Sequence, residues 1–317
     1  MTDHPDHTRR AVLAGAGATL TLVATGQAGA ATQVAGVYRR GVGEIVVTAL
    51  LDGYLDLDPA MLTGADAETN ARLLGEAFIA GPAVATSVNA YVIETGGRRI
   101  LVDGGAAAAF GPTAGQLMGA LAAAGVGADS IDTLFTTHAH PDHVGAFAAD
   151  GAAAFPNADL VMHAAEQAFW SDDANFAGAD EQTQAFVAMA RGAMAPYAAR
   201  TTLVEDGAEI APGVTAMHLP GHTPGHTGLM LSSGDRALLV WGDIVHIGPV
   251  QFALPSLTIP FDVDQPLAAA TRARLLDQVA TDRLEIAGSH VDFPSMGHVE
   301  KHGEGYAFTP SRWDHTL

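Results

Sequence analysis

The stretch His138-Ala139-His140-Pro141-Asp142-His143 sets four metal-compatible side chains within six positions. A short turn there can direct His138 and His140 to one ion while Asp142 and His143 face a second. Imidazole nitrogen and carboxylate oxygen both reach zinc at about 2.0–2.2 Å, so one loop can serve neighbouring ions. Pro141 stiffens the turn and lowers the entropy lost in arranging the ligands. Upstream, Ile131 to Thr136 is a short apolar run that reads as a strand delivering the chain into this loop. Downstream come Pro220-Gly221-His222-Thr223-Pro224-Gly225-His226, Trp241-Gly242-Asp243 and Gly288-Ser289-His290. Each follows an apolar strand candidate and places a His or Asp at its exit, and loops held by strand ends are where sites are usually assembled.

Composition narrows the chemistry. There is no cysteine among the 317 residues, so thiolate zinc sites, thiol nucleophiles and disulfides are excluded. Any metal is therefore held by His and carboxylate. Lys and Arg number 15 against 35 Asp and Glu, a formal net charge of -20. That balance disfavours nucleic acid and anionic membrane as partners, because phosphate contacts need clustered cations. Hydrophobic residues make up 48% and charged residues 16%, enough for a large core.

At the N-terminus, Arg9-Arg10 precedes an uncharged run from Ala11 to about Ala31 that closes on Ala28-Gly29-Ala30-Ala31. A basic start, an apolar stretch and small residues at its end read as a secretory leader, and the arginine pair resembles a twin-arginine signal. Residues 1–31 are thus expected to be a signal peptide and 32–317 one domain, exported to the periplasm or secreted. No other apolar segment is long enough to span a bilayer.

Further strands are expected at Glu44 to Leu51, at Val88 to Ile93 and Arg99 to Val102 around the turn Thr95-Gly96-Gly97, at Asp159 to Met162, Val214 to Leu219, Gly228 to Leu231, Ala237 to Trp241 and Leu284 to Ala287. Helical spacing covers Ala65 to Ala80, Thr113 to Ala124, Ala164 to Trp170, Glu181 to Ala199 and Gln265 to Ala280. Strand groups interleaved with helices suggest sheets packed inside helical layers, an α/β architecture.

The pattern His-x-His-x-Asp-His, a later Gly-His, a Gly-Asp and a final His resembles the metallo-β-lactamase superfamily. That resemblance implies an αββα sandwich with the site at one edge of two mixed sheets. It further implies that His138, His140 and His222 hold one metal, that Asp142, His143 and His290 hold the second, and that Asp243 bridges them. Ser87-Val88-Asn89-Ala90-Tyr91, Phe110-Gly111-Pro112-Thr113, Ala154-Phe155-Pro156-Asn157-Ala158 and the run from His290 to His298 are similar to the methyl parathion hydrolase group and its lactonase relatives. Those relatives line their pocket with aromatic residues, which places Phe110, Trp170 and Phe186 in the expected lining. Of the 14 histidines, five are assigned as ligands. His226 is expected to support its loop by donating to a partner behind the ligands. His246, three residues after Asp243, is a candidate proton donor to the leaving group. His163, His218, His298, His302 and His315 default to structural or surface roles.

The function implied is a binuclear-zinc hydrolase that cleaves a neutral ester bond, a phosphotriester, lactone or aryl ester, by a metal-bridging hydroxide. Asp243 and Asp142 are the carboxylates at its catalytic centre. The nitrogen-rich ligand set favours Zn2+, and a diiron relative would carry Glu in place of His140; Mn2+ or Co2+ are substitutes that such a site accepts. The expected partner is a small neutral ester substrate, and the resemblance implies a homodimer. A β-lactamase is the main alternative, disfavoured because those enzymes usually lack a carboxylate where Asp243 stands. Glyoxalase-type thioester hydrolysis is disfavoured because only 27 residues (291–317) follow His290.

Overall fold

The computed structural model describes residues 33–317, so the leader expected over residues 1–31 lies outside the described residues. Two seven-stranded sheets face one another. In the first, β1 (Val37–Val42), β2 (Ile45–Leu57), β3 (Val84–Thr95) and β4 (Arg98–Val102) run antiparallel, and β5 (Thr133–Phe135) then pairs parallel with β4. A two-stranded hairpin, β6 (Ala148–Ala149) and β7 (Ala152–Ala153), follows, and β8 (Asp159–His163) and β9 (Thr201–Val204) complete the sheet in parallel. The second sheet runs in order through β10 (Glu209–Ala211), β11 (Val214–His218), β12 (Thr227–Ser233), β13 (Arg236–Val240), β14 (Glu285–Ala287), β15 (Met296–His302) and β16 (Gly305–Pro310). All its pairings are antiparallel except β13 with β14.

Side-chain alternation builds three cores from these strands. On β3 and β4, Tyr91, Ile93, Ile100 and Val102 point between the sheets to meet Leu229, Leu231, Leu238 and Val240. Their neighbours Ala90, Val92 and Leu101 point outward and are covered by α2 (Leu117–Ala124), α4 (Ala164–Ser171) and α5 (Glu181–Met194), through Leu117, Leu121, Trp170, Val187 and Met194. On the other face, Leu239 and Ile286 are covered by Leu275, Leu276 and Val279 of α7 (Gln265–Asp282). The strands are apolar on both faces because both faces are buried. The result is the αββα sandwich expected from the sequence. A fourth cluster joins α1 (Ala67–Glu76) to α6 (Gly248–Ala253) beside the sandwich.

The strands of parallel pairs release their C-terminal ends at a common edge. β4 and β5 deliver Asp103 and His138 there, and β13 and β14 deliver Asp243 and His290. Crevices outside the carboxyl ends of such strands are where α/β sheets bind ligands. The remaining helix, α3 (Pro141–Val144), is a single turn that begins at Pro141, where the missing amide costs nothing. Its shortness keeps Asp142 and His143 next to His138 and His140.

Several boundaries moved for local reasons. The helix expected from Thr113 starts only at Leu117, because Gly115 sits at φ +87° with its N–H on the Asp52 carboxylate. The helix expected to reach Ala199 ends at Met194 and tightens into a 3-10 turn, since Pro196 has no amide to continue the ladder. Strands β1, β6, β7, β9, β10, β15 and β16 and helix α6 had no counterpart in the sequence reading. The β15–β16 hairpin carries Glu300, Lys301 and His302 on an exposed edge, and its apolar pattern is correspondingly broken.

Candidate metal centre

Three imidazole nitrogens meet first. His138 Nε2 lies 3.0 Å from His140 Nδ1 and 3.2 Å from His222 Nε2, and the latter two are 3.0 Å apart. Hydrogen bonds behind the rings assign their tautomers. His138 Nδ1 is 3.0 Å from Thr137 Oγ1, whose own proton goes to Asp103, so the ring donates there. His222 donates from Nδ1 to Asp262 Oδ1 at 2.9 Å. Both Nε2 atoms therefore present lone pairs to each other at close range, an arrangement that needs a cation between them.

The second group is built the same way. Asp142 Oδ2 lies 3.5 Å from His143 Nε2 and 3.4 Å from His290 Nε2. His143 donates from Nδ1 to Asp103 Oδ2 at 2.9 Å, and His290 donates from Nδ1 to the Ser87 carbonyl at 2.8 Å. Asp243 stands between the groups. Its Oδ2 is 3.4 Å from His222 Nε2, 3.7 Å from His138 Nε2 and 3.1 Å from His290 Nε2, while Oδ1 is 3.3 Å from His143 Nε2.

These residues fit a pair of ions. Ligand atoms at about 2.0–2.2 Å on a tetrahedral metal are about 3.3–3.6 Å apart, and the separations here run from 3.0 to 3.7 Å. His143 Nε2 and Asp243 Oδ1 are buried with no hydrogen-bond partner, which is costly unless another group satisfies them. Four overlapping triads, His138-His140-His222, His138-His143-Asp243, Asp142-His143-His290 and His222-Asp243-His246, bring their donor atoms within 4.8 Å of one another. All seven residues predicted as ligands thus converge.

Electrostatics separates the histidines. Burial drives His140 down to about 3, and it likewise pushes His138 well below the ordinary value. Burial also works to lower His143, but Asp243, Asp142 and Asp103 outweigh it and raise the ring well above the usual histidine range. His290 is raised the same way by Asp243 and Asp142 against its burial. Burial opposes ionisation of Asp142 and Asp243, yet the neighbouring imidazoles hold both below the usual carboxylate range. The aspartates thus favour a proton on His143 and His290, whereas burial disfavours one on His138 and His140.

His246 lies inside this centre, with Nε2 3.3 Å from Asp243 Oδ2 and its ring stacked 5.2 Å from that of His290. Burial lowers it to about 4, so at neutral pH it holds one ring proton, not two. His226 supports Asp243, as expected of a residue behind the ligands, but with the polarity reversed toward that partner. Its Nε2 accepts the Asp243 backbone N–H at 2.9 Å, and its Nδ1 donates to the Leu219 carbonyl. Trp170 is buried and meets His140 edge to face at 5.6 Å. Phe110 and Phe186 are half-buried and pair with each other at 5.5 Å; among the described residues no ring contact joins that pair to the ligand histidines.

Four supporting residues were missed by the sequence reading. Asp103 follows an apolar strand just as Asp243 does, and its left-handed φ of +63° before Gly104-Gly105 marks a tight turn; the strand-exit signal was there to find. Asp262, which orients His222 and sits 3.6 Å from the buried guanidinium of Arg272, has no such signal. Asn89 donates to the carbonyls of Gly288, Ser289 and Val291, clamping the His290 loop. Glu166 is buried in α4 and accepts from both ligand loops of the first group.

Two His- and Asp-rich ligand groups at one edge of an αββα sandwich define a metal-dependent hydrolase. Comparison with known proteins agrees. The family model of the metallo-beta-lactamase superfamily matches residues 83–290, and the chain belongs to that superfamily. Among solved structures, the hydrolase AbOPH, described as in the beta lactamase superfamily, is 34% identical, covering 89% of this chain and 100% of that one with a TM-score of 0.85. AidC, described as a dizinc quorum-quenching lactonase in complex with a product, is 25% identical over 89% of this chain and 99% of that one, with a TM-score of 0.83. A probable metal-dependent hydrolase from Staphylococcus aureus, at 20% identity over 88% of this chain and 100% of that one, shares the fold with a TM-score of 0.71. No curated protein matches the chain.

Proposed function

We propose that this protein is a two-zinc hydrolase of neutral, apolar esters, with a lactone or carboxylic ester as its native substrate and phosphotriesters of the methyl parathion type also accepted. The observation that carries the reading is the convergence of His138, His140, His222, Asp142, His143, His290 and Asp243 around two adjoining donor sets. A pair of divalent ions held there supplies Lewis acidity and a water acidified toward neutral pH. Asp243 Oδ2 is the base placed to take a proton from the attacking water. His246 Nε2, 3.3 Å from that oxygen, is placed to receive that proton and pass it to the departing alkoxide.

Substrate charge follows from the surroundings. A chain with formal charge -20 does not draw anions from a distance. Exposed Phe261 lies 6.5 Å from the His246 ring and puts apolar surface beside the centre, while buried Trp170 backs His140. The lactonase described among the solved relatives, AidC, supports a cyclic ester.

The test is metal analysis of the purified protein together with kcat/KM for acyl lactones, aryl esters and paraoxon-type phosphotriesters. Two equivalents of zinc and turnover on at least one class are expected. Failure on all three, with hydrolysis of a chromogenic cephalosporin instead, would give the β-lactamase reading. The arginine pair and apolar run of residues 9–31 support export through the twin-arginine route.

A further inference from the structure

Glu166 has no place in the ligand set or in the proton transfers, yet it is fully buried on α4 and every acceptor position it offers is used. Oε1 accepts the Ala139 backbone N–H at 2.8 Å and the Trp170 indole N–H at 2.6 Å. Oε2 accepts the Thr223 hydroxyl at 2.6 Å and the Gly225 N–H at 3.1 Å. Ala139 lies between His138 and His140. Thr223 follows His222, and Gly225 ends the same turn. Trp170, held by its indole N–H, packs edge-on against His140. One carboxylate thus ties together the segments bearing all three histidines of the first group. None of its bonds reaches Asp142, His143 or His290.

A carboxylate in this position is chemically specific. Its four donors converge from three segments, and only an ionised carboxyl accepts all four without offering a proton back. Gly225 packs so tightly on the α4 backbone at Glu166 that a Cβ there has no room, so the His222 loop lies directly against the helix turn that carries the carboxylate. On the opposite side, the His290 loop is clamped separately by Asn89 and by the Tyr91 hydroxyl, which donates to the Gly288 carbonyl at 2.8 Å. Glu166 on one side and Asn89 with Tyr91 on the other therefore hold different loops, while Asp103 joins the two groups through Thr137 and His143.

We infer that Glu166 is a positioning residue for the first metal only, setting the spacing of His138, His140 and His222 while leaving the second site to other supports. The inference rests on the two-ion reading above. Its test is Co2+ titration of metal-stripped protein, followed by visible absorption and calorimetry, for the wild type and for Glu166→Gln. Variants His222→Ala and His290→Ala assign the two binding phases to the first and second sites.

The glutamine keeps the shape but turns one of the two acceptors toward the donors as an NH2. In E166Q the first-site phase is expected to weaken about 10–100-fold with a shifted cobalt absorption band, while the second-site phase keeps its wild-type affinity. Thr223→Val, which removes one donor of four, should weaken the same phase by a smaller factor. Wild-type affinities and an unchanged cobalt spectrum in E166Q overturn the inference, as does an equal loss at both sites. If E166Q does not fold, T223V and Trp170→Phe decide, and no preference for the first site in either overturns it. A wild type that binds no pair of ions overturns the two-ion reading and this inference with it.

Discussion

The Nε2 atom of His226 accepts the backbone N–H of Asp243 at 2.9 Å, and its ring meets those of His138 and His222 edge to face at 5.3 and 5.8 Å. The ring fills the space over Gly242, whose left-handed φ of +61° leaves no room for a side chain against it. Asp243 is thereby aimed through its main chain. Replacement of His226 by Ala should lower metal affinity about 10–100-fold, the usual effect of losing a partner behind a ligand. Metal retained after dialysis against a weak chelator measures this. Wild-type retention would mean that the turn holds Asp243 unaided.

Asp243 itself touches both donor sets, within 3.4 Å of His222 and 3.1 Å of His290. Loss of a ligand should exceed the effect of losing its support, so Asp243→Ala is expected to cut kcat/KM by more than about 100-fold. Its metal content should fall below two equivalents. A variant that kept both ions and full turnover would remove Asp243 from the bridging position.

Protonation of the metal-free centre gives a pH dependence. Burial alone would lower His143 and His290, but the surrounding aspartates raise both, so Nε2 on each tends to hold a proton near neutral pH. A metal must displace those protons. Apparent metal affinity should therefore rise with pH across the range in which these histidines titrate, above the ordinary histidine value. Calorimetry in two buffers of different ionisation enthalpy should show net proton release near pH 7. No dependence of the measured heat on the buffer would contradict the assignment.

Away from the centre, Arg40 of β1 pairs with Glu285 of β14 at 2.8 Å, joining the two sheets through a buried ion pair. Removing one partner leaves an uncompensated buried charge. Arg40→Met should cost about 3 kcal/mol of stability by chemical denaturation. Metal content should stay at the wild-type level, because none of the ligand loops contains either residue.

Acyl substrates distinguish the aromatic surfaces. Phe261 is 38% exposed beside His246, whereas Trp170 is buried behind His140. Phe261→Ala should raise KM for a long-chain lactone several-fold with little change in kcat, and Trp170→Ala should instead reduce kcat. Equal effects of both variants on KM and kcat would show that neither ring acts as described.

Much of this was legible along the chain. The ligands were identifiable because each stands at the exit of an apolar strand, often next to Gly or Pro, and that local signal survives in one dimension. Asp103 carried the same signal. Glu166, Asp262 and Asn89 did not, because a carboxylate in a helix or loop or an amide inside a strand looks ordinary until partners such as Ala139, His222 and Val291, 27 to 202 residues away, are known. The edge hairpin β15–β16 was likewise illegible, since a strand with one exposed face and charged neighbours shows little apolar periodicity.

By itself the amino-acid order determined that seven metal-compatible His and Asp side chains stand at strand exits, that the sheets pack inside helical layers, and that no thiol chemistry is available, because residue type and spacing carry that information. Only the tertiary structure decided how closely the seven side chains approach, which nitrogen of each ring faces inward, and which buried groups stand behind them. Those outcomes depend on distances between segments that pair through parallel strands, and sequence spacing does not encode such distances.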